Sequence, residues 1–463
     1  MSRGLHWFRN DLRLADNMAL NELASRAEQW LPVFVLDRRL LGPQPRTRFW
    51  LAGLAALARE LERRGVPLLV REGRPEDVLP KLLHETGATL LSFSGAPTPF
   101  ARRRDERVRR SVERAGVRVL ARRDDVIFAS GEVQKAQGGP FAVYTPYRNA
   151  WWKRFREAPR RPARLRRLPP PIPGFSADEL RTASGSVPEL EIPTPGAQAA
   201  KRRLGRFLDT AAGRYHEQRD LPGIDGTSRL SPYLRCGAIS VRECFARAEE
   251  AAAEQPRLQR GIAKWLDELI WREFYAAILE EHPRVLQGNY RQEYDGLVWN
   301  DDAAGFEAWC EGRTGYPIVD AGMRQLRATG WMHNRARMIV ASFLTKDLLI
   351  DWREGERFFY ERLVDGDPAS NNGGWQWAAS TGTDAQPYFR IFNPVLQGRR
   401  FDPDGAYVRR WIPELAKVPD AQVHAPWEQG LFCPEYPPPI VDHAERRELA
   451  LERFSAARDG VAP

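Results

Sequence analysis

With 463 residues, 43% hydrophobic and 28% charged, the chain exceeds what a single core usually supports and reads as a folded protein of two domains. It has no run of about 18 apolar residues, and Met1 to Asp11 is short and charged, so neither a membrane span nor a signal peptide is expected. A net charge of +9 suits a polyanionic partner; four cysteines (Cys236, Cys244, Cys310, Cys433), none in a Cys-x-x-Cys pair, exclude a disulfide framework and a zinc site and fit a reducing cytoplasm.

In residues 1–130, apolar runs at Leu5–Phe8, Leu31–Leu36, Pro67–Val70, Thr89–Ser92 and Val117–Leu120 alternate with amphipathic stretches. Within Phe49–Arg64, for example, Leu51, Leu54, Leu57 and Leu61 recur at helical spacing. Strands alternating with helices predict an α/β domain on a parallel, Rossmann-like sheet, which binds ligands at the carboxyl ends of its strands. The first run continues from His6 to Asp11 as His-Trp-Phe-Arg-Asn-Asp, not as Gly-x-Gly-x-x-Gly, so a standard dinucleotide site is not expected there.

Residues 131–198 read as a surface linker without regular structure. They hold Trp151-Trp152-Lys153-Arg154, an arginine-rich run from Arg156 to Arg167 and a proline cluster at Pro169–Pro173. The arginines either follow a phosphate backbone or form a solvated face. From 199 to 463 helical patterns take over, at Pro256–Glu281, Gly315–Thr329, Arg335–Leu349 and Glu354–Leu363, and predict an all-α domain. Nine of the 15 tryptophans lie between Trp265 and Trp411. Indoles are a costly core filler because each N–H needs a partner, so the excess asks for a chemical reason.

Four polar constellations stand out in this second half. Asp225 to Pro232 sets Thr227, Ser228, Arg229 and Ser231 before a predicted helix; the group offers donors to a diphosphate, or else Thr227 or Ser231 simply caps the helix. On a helix, Trp265, Glu268, Arg272 and Tyr275 share a face, with Glu268 and Arg272 at ion-pair spacing. That face is either a cavity wall that stacks on flat rings or ordinary core. Trp331, Asn334 and Met338 line one side of a third helix, flanked by Arg335 and Arg337, and His333 has no second histidine at metal-ligand spacing. Asp365 to Asp384 reads as a polar, glycine-rich loop with paired carboxylates, adjacent amides and two indoles. It lacks the remaining ligands of a calcium loop and suits a flat heterocycle.

At these segments, and from Trp7-Phe8-Arg9-Asn10-Asp11-Leu12-Arg13 to Arg390-Ile391-Phe392-Asn393-Pro394, the chain resembles the photolyase and cryptochrome flavoproteins, most of all the bacterial cyclobutane pyrimidine dimer photolyases. The resemblance is densest from Gly315 to Pro394. It implies an α/β domain followed by a helical domain that holds FAD, active as FADH⁻. The matching flavin contacts are Tyr215, Thr227, Ser228, Arg229, Leu230, Ser231, Trp265, Glu268, Arg272, Asn334, Arg337, Asp365, Asp367 and Asn371, which makes Thr227–Ser231 a cofactor segment and not a mere cap. Asn371 falls beside the flavin N5 atom, where plant-type cryptochromes carry Asp and several animal ones Cys; the amide favours repair over signalling.

By the same resemblance, Glu268, Trp271, Asn334, Met338 and Trp377 surround a flipped-out lesion, and Arg219, Arg335 and Gln397 contact DNA. Arg390 is a further backbone contact, and Arg399 and Arg400 are either the same or an exposed charge run. The six-four photolyases carry histidines at the positions of Asn334 and Met338, so their absence points to cyclobutane dimers. Trp375, Trp352 and Trp299 match an electron-transfer chain from the surface to the flavin, the chemical reason for the indole excess. Members of the family often carry a second, light-harvesting chromophore, either a deazaflavin or methenyltetrahydrofolate; Pro97 to Asp105 lacks the Asn-Glu pair of folate binders and is more similar to the deazaflavin type, and an empty site is the alternative. The implied enzyme is a cytoplasmic, monomeric, light-driven lyase acting on ultraviolet-damaged DNA.

Overall fold

The computed structural model describes residues 1–164, 167–178, 190, 192–429 and 435–460. Leu165 and Arg166 of the arginine-rich run, part of the expected linker, and Cys433 lie outside the described residues. In the N-terminal half the strands are β1 (Arg3–Phe8), β2 (Gln29–Leu36), β3 (Leu69–Glu72), β4 (Leu90–Gly95) and β5 (Arg118–Arg123). Between them run helices α1 (Met18–Ala24), α2 (Pro45–Glu62), α3 (Pro75–Thr86) and α4 (Pro99–Glu113). All four strand pairings are parallel, in the order β3-β2-β1-β4-β5, with Leu5 opposite both Leu31 and Leu91. Both faces are buried, as helices on either side of a parallel sheet require: Leu5 and Trp7 enter one core, Phe8 the other.

The order places the topological switch beside β1, at the carboxyl end of the sheet. No glycine-rich turn is needed there, because Asp11 ties the loop. Its carboxylate accepts from the Arg9 backbone N–H at 2.7 Å, from the Asn17 amide at 2.9 Å and from the Ser94 hydroxyl at 3.0 Å.

Regular structure appears where the linker was expected to have none. Helix α5 (Tyr144–Glu157) buries Tyr144, Tyr147, Trp151 and Phe155, spaced three, four and four apart. The proline cluster is pinned as well: Trp30 N–H donates to Pro170 O and Ile172 N–H to Trp30 O, each at 3.1 Å, and Ile172 is buried. The described part of that stretch around α5 is docked and not a free tether, because its aromatic residues find apolar partners on the helical half.

The helical half comprises α6 (Ala197–Thr210), α7 (Tyr215–Gln218), α8 (Ser231–Cys236), α9 (Val241–Glu254), α10 (Gln259–Glu281), α11 (Ala303–Glu311), α12 (Pro317–Thr329), α13 (Asn334–Ser342), α14 (Trp352–Arg362), α15 (Pro368–Ala378), α16 (Pro394–Phe401), α17 (Ala406–Trp411) and α18 (His443–Arg458). The helix expected over Arg335–Leu349 is α13 followed by a π-turn at Phe343–Asp347.

The two halves share one hydrophobic core that runs from Phe8 and Leu12 to Ile270 and Phe274. A buried ionic cluster joins them too. Arg242 of α9 donates to the Asp16 carboxylate at 2.9 Å and also binds Asp124, which pairs with Arg13. These four side chains are only 1–3% exposed. Glu273 of α10 adds a second tie, accepting from Ile127 N–H at 2.9 Å, Phe128 N–H at 2.8 Å and the Trp151 indole at 2.9 Å.

Candidate active site

The segment before α8 does not cap it. Neither Thr227 nor Ser231 bonds the first turn, and Leu230 holds the cap position without a side-chain bond. Arg229 instead takes a left-handed backbone (φ 49°), a strained choice for a residue other than glycine. This leaves Thr227 and Ser228 half exposed beside α10, where Ser228 Oγ accepts from the Trp265 indole at 3.2 Å. The Arg229 guanidinium lies 4.8 Å from the Trp331 ring centre and bonds Asp225 at 3.0 Å.

On α10 the expected Glu268–Arg272 pair is replaced by two others. Glu268 binds Arg219, the residue following α7, while Arg272 donates to the Asp125 main-chain carbonyl. Tyr215 sits close by, its ring centre 5.8 Å from the Arg219 guanidinium. Trp271, one residue earlier than Arg272, stacks on Tyr144 of α5 with centroids 3.6 Å apart and planes 11° from parallel. Nothing in the sequence marks Tyr144 for this role, because it stands in the stretch expected to be a linker. It backs the indole and fixes it through a bond from its hydroxyl to Asp267 O at 2.6 Å.

Trp331 precedes α13 and is not on that helix. His333 is the N-cap, its Nδ1 accepting from Arg335 N–H at 3.1 Å. Burial pushes its imidazole down to about 4; Asp220 opposes that shift, and Arg335, Arg229 and Arg337 add to it. Asn334 and Met338, one turn apart, are in contact, amide to thioether, at 3.7 Å. Arg335 binds Asp220 at 2.8 Å and lies 4.2 Å from the Phe401 ring centre; Arg337 turns the other way and binds Asp365 at 2.9 Å.

Asp365 to Asp384 is not a loop: Pro368–Ala378 is α15, with Asp367 as its N-cap accepting from Ser370 N–H at 2.9 Å. One of its glycines, Gly373, serves packing. A Cβ on Gly373 would lie 2.1 Å from Tyr275 Cδ1, so α15 rests on the aromatic face of α10 with backbone alone. Asn371 donates its amide to the Glu356 main-chain carbonyl at 2.9 Å, which turns Oδ1 away from α14. Burial pushes the Glu356 carboxyl up to about 7.

The tryptophans of the expected electron path divide by burial. Trp375 and Trp352 are buried and Trp299 is half-buried beside Phe454. Trp375 packs on α14, the helix that Trp352 opens: its ring lies so close to Gly355 that a Cβ there would be 2.1 Å from Cη2, and Trp352 is one turn earlier in the same helix. Trp309 also packs edge-on against Trp375 at 6.0 Å. By contrast Arg219, Trp271, Arg335, Met338, Trp377 and Gln397 are all half-buried, and Asn334 is exposed.

A cavity of about 970 Å³ lies where the loops after β1, β2, β4 and β5 face α8, α14 and the start of α15. Its walls include Arg9, Phe34, Asp37, Trp50, Phe100, Arg104 and, from the other half, Arg235, Tyr360 and Pro368. Of the expected flavin contacts it takes in only Arg272 and Asp367, so it is a chamber beside that set. The stretch from Pro97 to Arg104 supplies part of its lining. Among the described residues no cluster of His, Cys, Asp and Glu could hold a metal ion, and no helix is long and apolar enough to cross a membrane.

Residues 4–166 match the DNA photolyase family, and residues 265–456 match the FAD binding domain of DNA photolyase. A deoxyribodipyrimidine photo-lyase of Halobacterium salinarum is 42% identical, over 98% of this chain and 99% of the relative. The chain belongs to the DNA photolyase family. A bacterial class III photolyase from Agrobacterium tumefaciens has the same fold, with a TM-score of 0.92 at 37% identity over 99% of this chain and 98% of the other. An archaeal photolyase from Sulfolobus tokodaii, solved with two FAD molecules, matches at a TM-score of 0.80 and 33% identity, over 98% and 99% of the two chains. The parallel-sheet domain followed by a helical FAD-binding domain is thus the photolyase architecture, and the chain is a light-driven lyase of that family.

Proposed function

We propose that the site described above repairs cyclobutane pyrimidine dimers in damaged DNA, with FAD held in the helical half and the lesion turned out of the duplex. The observation that carries this assignment of residues is the division by burial. Glu268, Trp271, Asn334, Met338 and Trp377 keep open sides, while Trp375 and Trp352 are enclosed.

The donor chemistry suits a flavin dinucleotide. Thr227, Ser228 and Ser231 offer hydroxyls to a diphosphate, and the uncapped start of α8 leaves the strained Arg229 backbone free to present N–H groups. Tyr215, Leu230, Trp265, Arg272, Asp367 and the Arg337–Asp365 pair complete the wall. Asn371 Oδ1, turned out by the bond to Glu356, is an acceptor matched to a protonated flavin N5. When bound, the reduced flavin supplies one electron to the dimer on excitation and takes it back after the ring opens, so no net redox change results.

The protein's own groups do the rest. Arg219, Arg335 and Gln397 hold the strand, and extrusion is eased because the dimer's base pairing is already weakened. Trp271, backed by Tyr144, and Trp377 stack on the fused pyrimidines. The Asn334 amide can donate to the base edge on which negative charge develops, and Glu268, held by Arg219, accepts from a base N–H and fixes the dimer's orientation. The thioether of Met338 beside Asn334, in place of a proton-donating histidine, supports a cyclobutane substrate over a six-four product. Trp299, Trp352 and Trp375 relay electrons inward to restore reduced flavin. The 970 Å³ cavity is the place for a second, light-harvesting chromophore, and the working unit is a cytoplasmic monomer.

Ultraviolet-damaged oligothymidine incubated with purified protein tests the reading. Dimers should disappear under near-ultraviolet or blue light and persist in the dark. No light-dependent loss with fully reduced flavin bound would defeat it.

A further inference from the structure

We infer that Asn289 is a positioning residue for electron flow through Trp352: its side-chain carbonyl holds the indole N–H and lets a positive hole rest briefly on a ring that water does not reach. The inference rests on the reading that Trp375, Trp352 and Trp299 form the electron path.

Trp352 is fully buried and is the first residue of α14. That is a poor place for a cation. A helix N-terminus carries partial positive charge, and the Arg353 guanidinium lies 4.9 Å from the indole centre. Asp351, bound to Arg353 at 2.9 Å, offsets part of this. The direct compensation is at the ring nitrogen, where Trp352 Nε1 donates to Asn289 Oδ1 at 2.9 Å. Asn289 is itself buried and held at both ends of its backbone, its N–H donating to Asp295 at 3.3 Å and its main-chain carbonyl accepting from Arg284 at 2.6 Å. The amide oxygen therefore faces the indole N–H without needing to reorganise when charge appears.

The choice of an amide has a chemical consequence. Oxidation of an indole makes its N–H acidic. In the first transfer Trp352 gives one electron to oxidised Trp375, which returns to its closed-shell form, and Trp352 becomes a radical cation with its N–H intact. The initial oxidant is a photoexcited flavin that is not fully reduced. An amide carbonyl stabilises the cation but is too weak a base to take the proton, so the hole stays mobile. Trp299 then gives one electron to Trp352 and, being half-buried, can release its own proton to water.

Flash photolysis of the purified protein with oxidised flavin bound tests this, following tryptophan radicals in the wild type, W352F, N289L and N289D. In N289L the hole equilibrium should move back toward Trp375 by about tenfold, the worth of a hydrogen bond to a charged group, and fewer radicals should survive recombination. N289D keeps an acceptor oxygen at the same place and should restore the yield, with the neutral radical formed earlier because a carboxylate can take the proton. A dark readout accompanies it: in ¹⁵N-tryptophan-labelled protein, the indole N–H resonance assigned by W352F should move upfield in N289L. Wild-type kinetics in N289L with transfer blocked in W352F would overturn the role of Asn289. So would an N289D as impaired as N289L, since lost packing and not the acceptor would then explain both. An unchanged yield in W352F would instead overturn the path itself.

Discussion

His333 makes the protein acid-sensitive at the helix that carries Asn334, Arg335 and Met338. In the unfolded chain its imidazole takes up a proton near 6.5; in the fold, where it is 2% exposed and caps α13 through a bare Nδ1, it does so only near 4. Native stability from this residue is therefore complete above pH 6.5 and drains away as the pH falls toward 4. The full displacement corresponds to about 3 kcal/mol, of which about 2 kcal/mol is already lost at pH 5. His333→Asn keeps an acceptor suited to the N-cap and removes the titration. Urea midpoints followed by tryptophan fluorescence at pH 7.5 and pH 5 should show a markedly smaller acid loss in the variant. Parallel losses in the two proteins would refute the reasoning, because the remaining titrating groups are common to both.

Further outcomes follow from the same geometry. Glu268→Ala should lower repair per photon several-fold while flavin stays bound, read from dimer loss against absorbed light; an unchanged yield would remove its assigned role. Tyr144→Ala removes the ring stacked behind Trp271 and should weaken binding of dimer-containing DNA by about 0.5–1.5 kcal/mol, with a smaller effect on undamaged DNA in a titration. Gly373→Ala forces a methyl group against Tyr275 and should cost about 1–3 kcal/mol of stability, together with flavin retention, measured by unfolding and by absorbance.

The sheet was legible because buried parallel strands announce themselves as short apolar runs, and each of the five runs became a strand within a few residues. α5 was not legible, although Tyr144, Tyr147, Trp151 and Phe155 stand at helical spacing, because the arginines and prolines that follow them dominate the composition. Local composition reports solubility, whereas docking depends on partners such as Glu273 and Phe274, which are more than a hundred residues away. α15 does not announce itself in the sequence for a related reason. Glycines and asparagines weaken a helix in isolation, but Gly373 is what lets this one lie against Tyr275, so tertiary contact outweighs propensity. The face shared by Trp265, Glu268 and Arg272 followed from spacing alone, yet its charged partners did not. Glu268 chose Arg219 over its neighbour one turn away, a pairing between separate elements that no local pattern encodes.

The buried cluster of Arg13, Asp16, Asp124 and Arg242 limits how this molecule can be divided or recombined. Residues 199–463 expressed alone would open Arg242 to water without either carboxylate, and the N-terminal piece would keep two acids around one guanidinium; the heavier penalty falls on a joined molecule in which Arg242 stays covered but its acids are missing. Leaving a buried charge without its partner costs about 3–5 kcal/mol, a large part of what holds any domain folded. A chimera that exchanges the α/β half for a relative's would have to bring matching acids at positions 16 and 124, whatever happens on the flavin side.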